Sequence, residues 1–293
     1  MSAFLIAMLI GVYTLQSLLL RKYSEYYPGK ESMASPVFTV VSGLIVAIVS
    51  YIFTGFSFQA SGLTVCLGLL NGAVLFGYNT CMVKASKNGP YSILMVFMIA
   101  GGIILPALTA MIGFQDLLSI GKICSILGVL GAVYMTSLKS EEAAFADKKG
   151  FWAACFGIAL FNGVYGTLLD VQQRLTSPAE KEEMVAVTYF CAMLLSGAVL
   201  FKKEGKSLAA SMKQTQKSCV YLIACSVTVA LAVNLMVYIL PIVNVTVLYT
   251  FDNAGVFLVS VLISRIFFKE KMSAVNWIGC LVMCIALVGV SVL

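Results

Sequence analysis

Residues 242–268 read IVNVTVLYTFDNAGVFLVSVLISRIFF, an apolar run whose first charge is Asp252 and whose second is Arg265. A helix that crosses a bilayer needs about 20 such residues, and this run supplies them. An acid near the middle of a span costs about 2.5–3.5 kcal/mol on insertion scales. The run therefore makes a demand on its surroundings. Asp252 must face a bundle interior or a wet cavity, not acyl chains.

The rest of the chain is built to meet that demand. Of its 293 residues 60% are hydrophobic and 11% charged, where soluble domains carry about 25% charged residues. Mean hydropathy is +0.98. Both values exclude a soluble globule and predict a polytopic helical membrane protein. The first apolar run begins at Met1 with no basic segment and no small-residue cleavage site before Arg21, and reads as a retained helix. Nine cysteines lie scattered with no CxxC and the chain has no His, so no metal site and no cofactor are expected. The net charge of +6 sits in short loops, where it is a topology signal and not a nucleic-acid footprint. No GxxxxGK[ST] phosphate loop occurs.

Apolar runs punctuated by charge, Gly and Pro predict ten transmembrane helices, at about 3–20, 34–55, 62–84, 90–113, 119–138, 150–173, 184–201, 218–239, 242–267 and 273–292. The second half echoes the first. A shift of 151 residues lays Pro90 on Pro241 and Gly128 on Gly279, and a shift of 152 lays Gly11-Val12-Tyr13 on Gly163-Val164-Tyr165. Each copy then holds five helices. Five is odd, so the copies cross the membrane in opposite senses, as in many secondary transporters. The expected fold is an all-α integral membrane protein of ten transmembrane helices in two inverted five-helix repeats, residues 1–145 and 146–293.

Charge tests that arrangement independently. The loops after helices one, three, five, seven and nine hold 3, 2, 3, 5 and 3 Lys plus Arg, sixteen of nineteen, leaving Lys122, Arg174 and Lys181 for the other side. The positive-inside rule makes the rich side cytoplasmic and both termini external.

From Leu240 to Leu293 the sequence LPIVNVTVLYTFDNAGVFLVSVLISRIFFKEKMSAVNWIGCLVMCIALVGVSVL resembles the end of drug/metabolite transporter superfamily proteins, and more narrowly of the ten-helix EamA-like branch. The features that carry it are Pro241, the FFKEKMSAVNWIG junction with Glu270 and Gly279, and the apolar closing helix. The opening IAMLIGVYTLQSLLLRKYSE also looks like the first helix of small multidrug resistance proteins, with Thr14 near the place of their embedded Glu. The resemblance implies a basket with a central cavity lined by helices one to four and six to nine, the fifth and tenth lying at the periphery. It implies transport of small polar metabolites, amino acids, sugars, nucleotide sugars or amphipathic drugs, by exchange or with proton coupling.

Mid-span polar groups mark the candidate site. Thr246, Tyr249 and Asn253 form one stripe, with Asp252 beside it. Helix one offers Tyr13 and Gln16, helix three Asn71 and Tyr78, helix six Asn162 and Tyr165, and helix eight Asn234. Such amides and phenols serve equally as interhelical hydrogen-bond partners or as substrate contacts. Tyr13, Tyr78, Tyr165 and Tyr249 together suit an aromatic box for an amine. Asp252 reads as the ligand of a cationic group or as a proton carrier, and a structural carboxylate is the other reading. At the repeat offset Gly101 and Gly102 stand opposite Asp252 and Asn253, where they leave space for a close approach of backbone or substrate, and with Pro106 they are expected to break helix four as a hinge or as a passive kink. Gly68 and Gly72 form a GxxxG packing face, and Asp170 with Arg174 an i,i+4 ion pair.

These features point to a secondary transporter of a small polar or amphipathic metabolite, amine-bearing, working by alternating access with proton coupling or exchange in the plasma membrane. A sugar or polyol carrier of the same fold and a non-transporting membrane subunit are the alternatives. An enzyme is not expected, because there is no His, no paired carboxylates in reach within one span and no DDxxD run. The expected partners are the substrate, the lipid bilayer and a second copy through the fifth and tenth helices. The orientation is directly testable: an epitope at either terminus should react with antibody on intact cells, and protection of both overturns the external assignment.

Overall fold

The computed structural model describes residues 2–114, 119–137, 146–176, 180–204, 215–239, 242, 245–270 and 272–292. In hydrocarbon every backbone N–H and C=O must find its partner inside the segment, which leaves the helix as the economical solution for these runs. Ten helices result: α1 Ser2–Tyr26, α2 Glu31–Phe53, α3 Gly62–Asn88, α4 Tyr91–Gly113, α5 Ile120–Ser137, α6 Lys148–Leu175, α7 Lys181–Glu204, α8 Gln216–Ile239, α9 Val245–Phe267 and α10 Ala274–Val292. Among the described residues seven are long and apolar enough to cross a membrane, and α5 and α10 contain shorter apolar stretches, Ile120–Thr136 and Ala274–Gly289.

Several helices outrun their apolar cores. α1 continues past Arg21 to Tyr26 and α3 past Lys84 to Asn88, because charge ends burial in lipid without ending the hydrogen-bond ladder. Side chains define other ends. Ser61 accepts from Thr64 N at 3.3 Å to start α3, and Asp147 accepts from Gly150 N at 2.9 Å to start α6. Ser273 accepts from Asn276 N at 3.3 Å to start α10, while the Asn276 amide donates to Thr136 O at 2.7 Å at the end of α5. The SAVN stretch thus both caps one helix and pins it to another.

α5 packs on α10, α2 on α7 and α8, α3 on α6 and α7, α1 on α8 and α9, and α4 on α5, α6 and α9. Glycines set the closest approaches and reveal direction. A Cβ on Gly68 would stand 2.8 Å from Val187 and one on Gly72 2.5 Å from Cys191, so α3 and α7 run parallel. Gly77 meets Phe161 and Gly157 meets Cys81, so α3 and α6 run antiparallel. Gly128 approaches Ala286 and Gly279 approaches Thr136, making α5 and α10 antiparallel as well.

Two expectations for α4 change. The helix is continuous from Tyr91 to Gly113 through Gly101, Gly102 and Pro106, with no break. Nor does Gly101 look onto open space. It crosses α6 so closely that a Cβ there would lie 2.0 Å from Ala159 O. The glycine pair serves a tight parallel contact, which sequence spacing alone cannot distinguish from a flexible joint. Gly101→Val should therefore force α4 off α6, costing about 3 kcal/mol. A melt of the detergent-purified variant should show a clear fall in midpoint, and an unchanged midpoint would contradict the contact.

Candidate functional site

The two ends of the bundle are packed differently. Where α1 ends and α2 begins, Tyr23 is fully buried and donates to Ala34 O at 2.8 Å. Tyr91 at the start of α4 and Phe151 at the start of α6 are equally buried. Toward the other end, residues 102–108 of α4 and 164–171 of α6 are almost all half-buried. A cavity of about 270 Å³ lies between the helices and reaches Gln172, Gln173 and Lys181 at that looser end. Its wall comes from α1–α4 and α6–α9, with nothing from α5 or α10.

Asp252 is on that wall. It is only 8% exposed, and its Oδ1 has no hydrogen-bond partner. One turn on, Gly255 lets α9 settle against Ile10 of α1, since a Cβ there would stand 2.3 Å from the isoleucine. Packing at Gly255 thus fixes the helix that presents the acid.

Tyr13, Gln16, Tyr78, Asn162, Tyr165, Asn253 and Gly102 also line the cavity. The Tyr78 hydroxyl donates to Met98 Sδ at 3.1 Å, and Asn162 Nδ2 donates to Met98 O at 2.8 Å. The Gln16 Oε1 is buried without a partner. Two amides lie elsewhere. Asn71 is fully buried off the cavity with neither amide atom paired. Asn234 joins α8 to α2, accepting from Ser50 Oγ at 3.3 Å and donating to Ala230 O at 2.8 Å. The side chains of Thr246 and Tyr249, like Pro241, lie outside the described residues.

Other wall residues escape a sequence reading. Tyr189 of α7 and Asn79 of α3 sit in spans where they resemble ordinary packing. Gln172 and Lys181 sit at span ends, where polar residues are expected and carry no signal. Asp170 and Arg174 do pair, at 2.9 Å, half-exposed. Just ahead of α7, Glu180 accepts from Thr64 Oγ1, from Ser61 Oγ at 2.7 Å and from Ser61 N at 3.0 Å. These donors, Thr64 first and then Ser61, hold its carboxyl below the usual glutamate range.

Glu270 acquires a structural account. Its carboxylate accepts from Tyr91 N at 2.6 Å, Ser92 N at 3.2 Å, Ser92 Oγ at 2.9 Å and also Ser264 Oγ, capping α4. Arg21 meets it at 2.9 Å, with its guanidinium 3.8 Å from the Phe268 ring centroid. One carboxylate thereby joins α1, α4 and α9 at the tightly packed end.

The sequence profile of the EamA-like transporter family matches residues 149–292. This part of the chain belongs to the EamA-like transporter family. The EamA-like family lies within the drug/metabolite transporter superfamily, and its members are transporters, not enzymes. The apolar helices and the EamA-like match together make the chain a multi-pass membrane protein. No curated protein matches it. Among solved structures, one described only as the crystal structure of a protein shares the fold over 98% of this chain and 96% of its own, at a TM-score of 0.64 and 14% identity.

The Arg21–Glu270 pair yields a test. Its side chains are 13% and 12% exposed, shielded enough that removing one charge strands the other. Glu270→Gln should cost about 3 kcal/mol, read as a lowered melting midpoint. A midpoint equal to wild type would show that α4 needs no such cap.

Proposed function

We propose that the protein is a secondary transporter of a small amine-bearing metabolite, acting by alternating access in the plasma membrane. The observation that carries this is the buried, unpartnered Asp252 oxygen on the wall of an eight-helix cavity. A carboxylate kept there with its buried Oδ1 unpaired is set to meet an ammonium group or a proton, because an unsatisfied buried acceptor otherwise costs about 1–3 kcal/mol. Tyr13, Tyr78 and Tyr165 on the same wall supply π-faces for that ammonium.

The packing pattern supports two inverted five-helix halves, 1–145 and 146–293. Exchanging α1–α5 for α6–α10 turns the α3–α6 contact into α8–α1, α3–α7 into α8–α2, α4–α6 into α9–α1 and α4–α5 into α9–α10, and each of these exists. α2–α7, α4–α9 and α5–α10 map onto themselves. Such a design exposes a central site to one face at a time when the halves rock. The looser packing at the Lys181 end favours the outward-open member of that cycle. The outer faces of α5 and α10, with Leu127, Tyr134, Leu281 and Ile285 exposed, are where two copies would pair.

The test is counterflow in proteoliposomes, using an ammonium solute chosen by thermal-shift screening of the purified protein. Asp252→Asn should reduce exchange at least about a hundredfold, the scale of a lost charge-assisted pair, while its melting midpoint stays near wild type. Wild-type exchange by the variant would reject the role given to Asp252.

A further inference from the structure

The tightly packed end of the chamber is closed by one interlocked group of side chains. Tyr91, at the start of α4, is fully buried. Its ring stands 5.5 Å from that of Phe268, over which the Arg21 guanidinium also lies. The buried Tyr91 hydroxyl makes no hydrogen bond and lies near Ser17 and Tyr78 of the chamber wall. Leu20, the neighbour of Arg21 in sequence, lines the chamber as well. Arg21, Glu270, Tyr91 and Phe268 together form the chamber's floor.

The bonds within that floor are unequal. Glu270 accepts three hydrogen bonds from α4, through Tyr91 N, Ser92 N and Ser92 Oγ, and one from Ser264 of α9. Among the described residues Arg21 alone ties it to α1. Arg21 has a second anion on its own helix, since the exposed Glu25 meets its Nε at 3.4 Å. Parting Arg21 from Glu270 thus leaves the guanidinium a partner and α4 its cap. The carboxylate then needs water in place of the lost cation, which an opened floor admits. The seam that can part runs between α1 and the α4–α9 pair.

The other end has no such group. The shifts of 152 and 151 residues carry Arg21 to Gln173, and Tyr91 and Glu270 to Ile242 and Ser119. Gln173 lines the chamber at its open end, while Ile242 and Ser119 are exposed. None of the three carries charge. An ion pair holds one end shut, and the end that lacks it stands open.

We propose that the Arg21–Glu270 bond is the latch of the closed end. Exchange of Glu270 for Glu25 as the partner of Arg21 opens the chamber on that side, and the intact latch sets the resting orientation. This rests on the carrier reading above and deepens it.

The experiment reads sidedness. A reporter, Ser17→Cys, is placed on the chamber wall one turn before Arg21, with the nine native cysteines changed to alanine. A membrane-impermeant methanethiosulfonate is applied to membrane vesicles of each orientation, and the exposed Lys149→Cys marks the Arg21 face. The parent reporter should react from the Lys181 end at least about tenfold faster than from the Arg21 end. Arg21→Gln should raise the rate from the Arg21 end at least about tenfold, without raising it from the other. Arg21→Lys keeps the cation and should stay within about threefold of the parent. Glu25→Gln should slow labelling from the Arg21 end about two- to fivefold, the scale of an exposed pair. That last variant alters only an exposed side chain, so it decides the matter even if Arg21→Gln fails to fold. Equal rates from both ends in the parent overturn the latch, as does no rise in Arg21→Gln. A rise from both ends marks a loosened fold and overturns it too. So do a lysine variant as fast as the glutamine one and a Glu25→Gln variant that labels no more slowly than the parent. None of these readings involves a solute or Asp252, so the carrier reading is decided apart from them, by the Asp252→Asn counterflow.

Discussion

Hydrocarbon offers no hydrogen bonds, and this single fact organises the molecule. It forces the backbone into helices and gives every polar side chain inside a span a choice between another helix and an aqueous cavity. The chain uses both. Asn162, Asn234 and Asn276 spend their amides on carbonyls or hydroxyls, those of α4, α2 and α5 among them. Asp252, Gln16 and Gln172 are left with unsatisfied atoms on one shared wall. Hydrogen bonding alone does not divide joinery from site, since Asn162 is bonded and lines the wall while Asn71 is unpaired and lies off it.

Between helices the hydrophobic drive is weak in lipid, so close van der Waals contact must hold the bundle. Small residues supply it at crossing after crossing: Gly68 and Gly72 on α7, Gly101 on α6, Gly255 on α1, Gly279 on α5. Charge is used sparingly and at the margins. Glu270 with Arg21 seals three helices together at one end, and Glu180 with Ser61 and Thr64 joins α7 to α3 at the other. Both carboxylates sit at helix starts, where free N–H groups await an acceptor.

Ten helices and their approximate limits were legible because span length and charge punctuation are properties of composition. Asp252 was legible for the same reason, as a lone acid in an apolar run. What failed to show was anything that depends on a distant partner. Glu270 finds its donors at Arg21, Tyr91 and Ser92, far away in sequence. Asn71 and Asn162 look alike as letters, yet one is off the cavity and the other lines it. Gly101 and Pro106 suggested a joint because close packing and flexibility call for the same residue types. Gln172 and Lys181 lay at span ends, where their polarity looked ordinary.

Pro106 has one more consequence. A proline carries no amide hydrogen, so the carbonyl four residues earlier, on Gly102, receives no donor from the helical ladder. Gly102 borders the chamber. A main-chain oxygen without its helical donor thereby belongs to a residue of the chamber wall, and no exchange of the side chain at position 102 would delete it. On the proposed reading of the chamber as a solute site, selectivity can vary through the tyrosines, the amides and the carboxylate, while this acceptor persists for as long as the imino acid does.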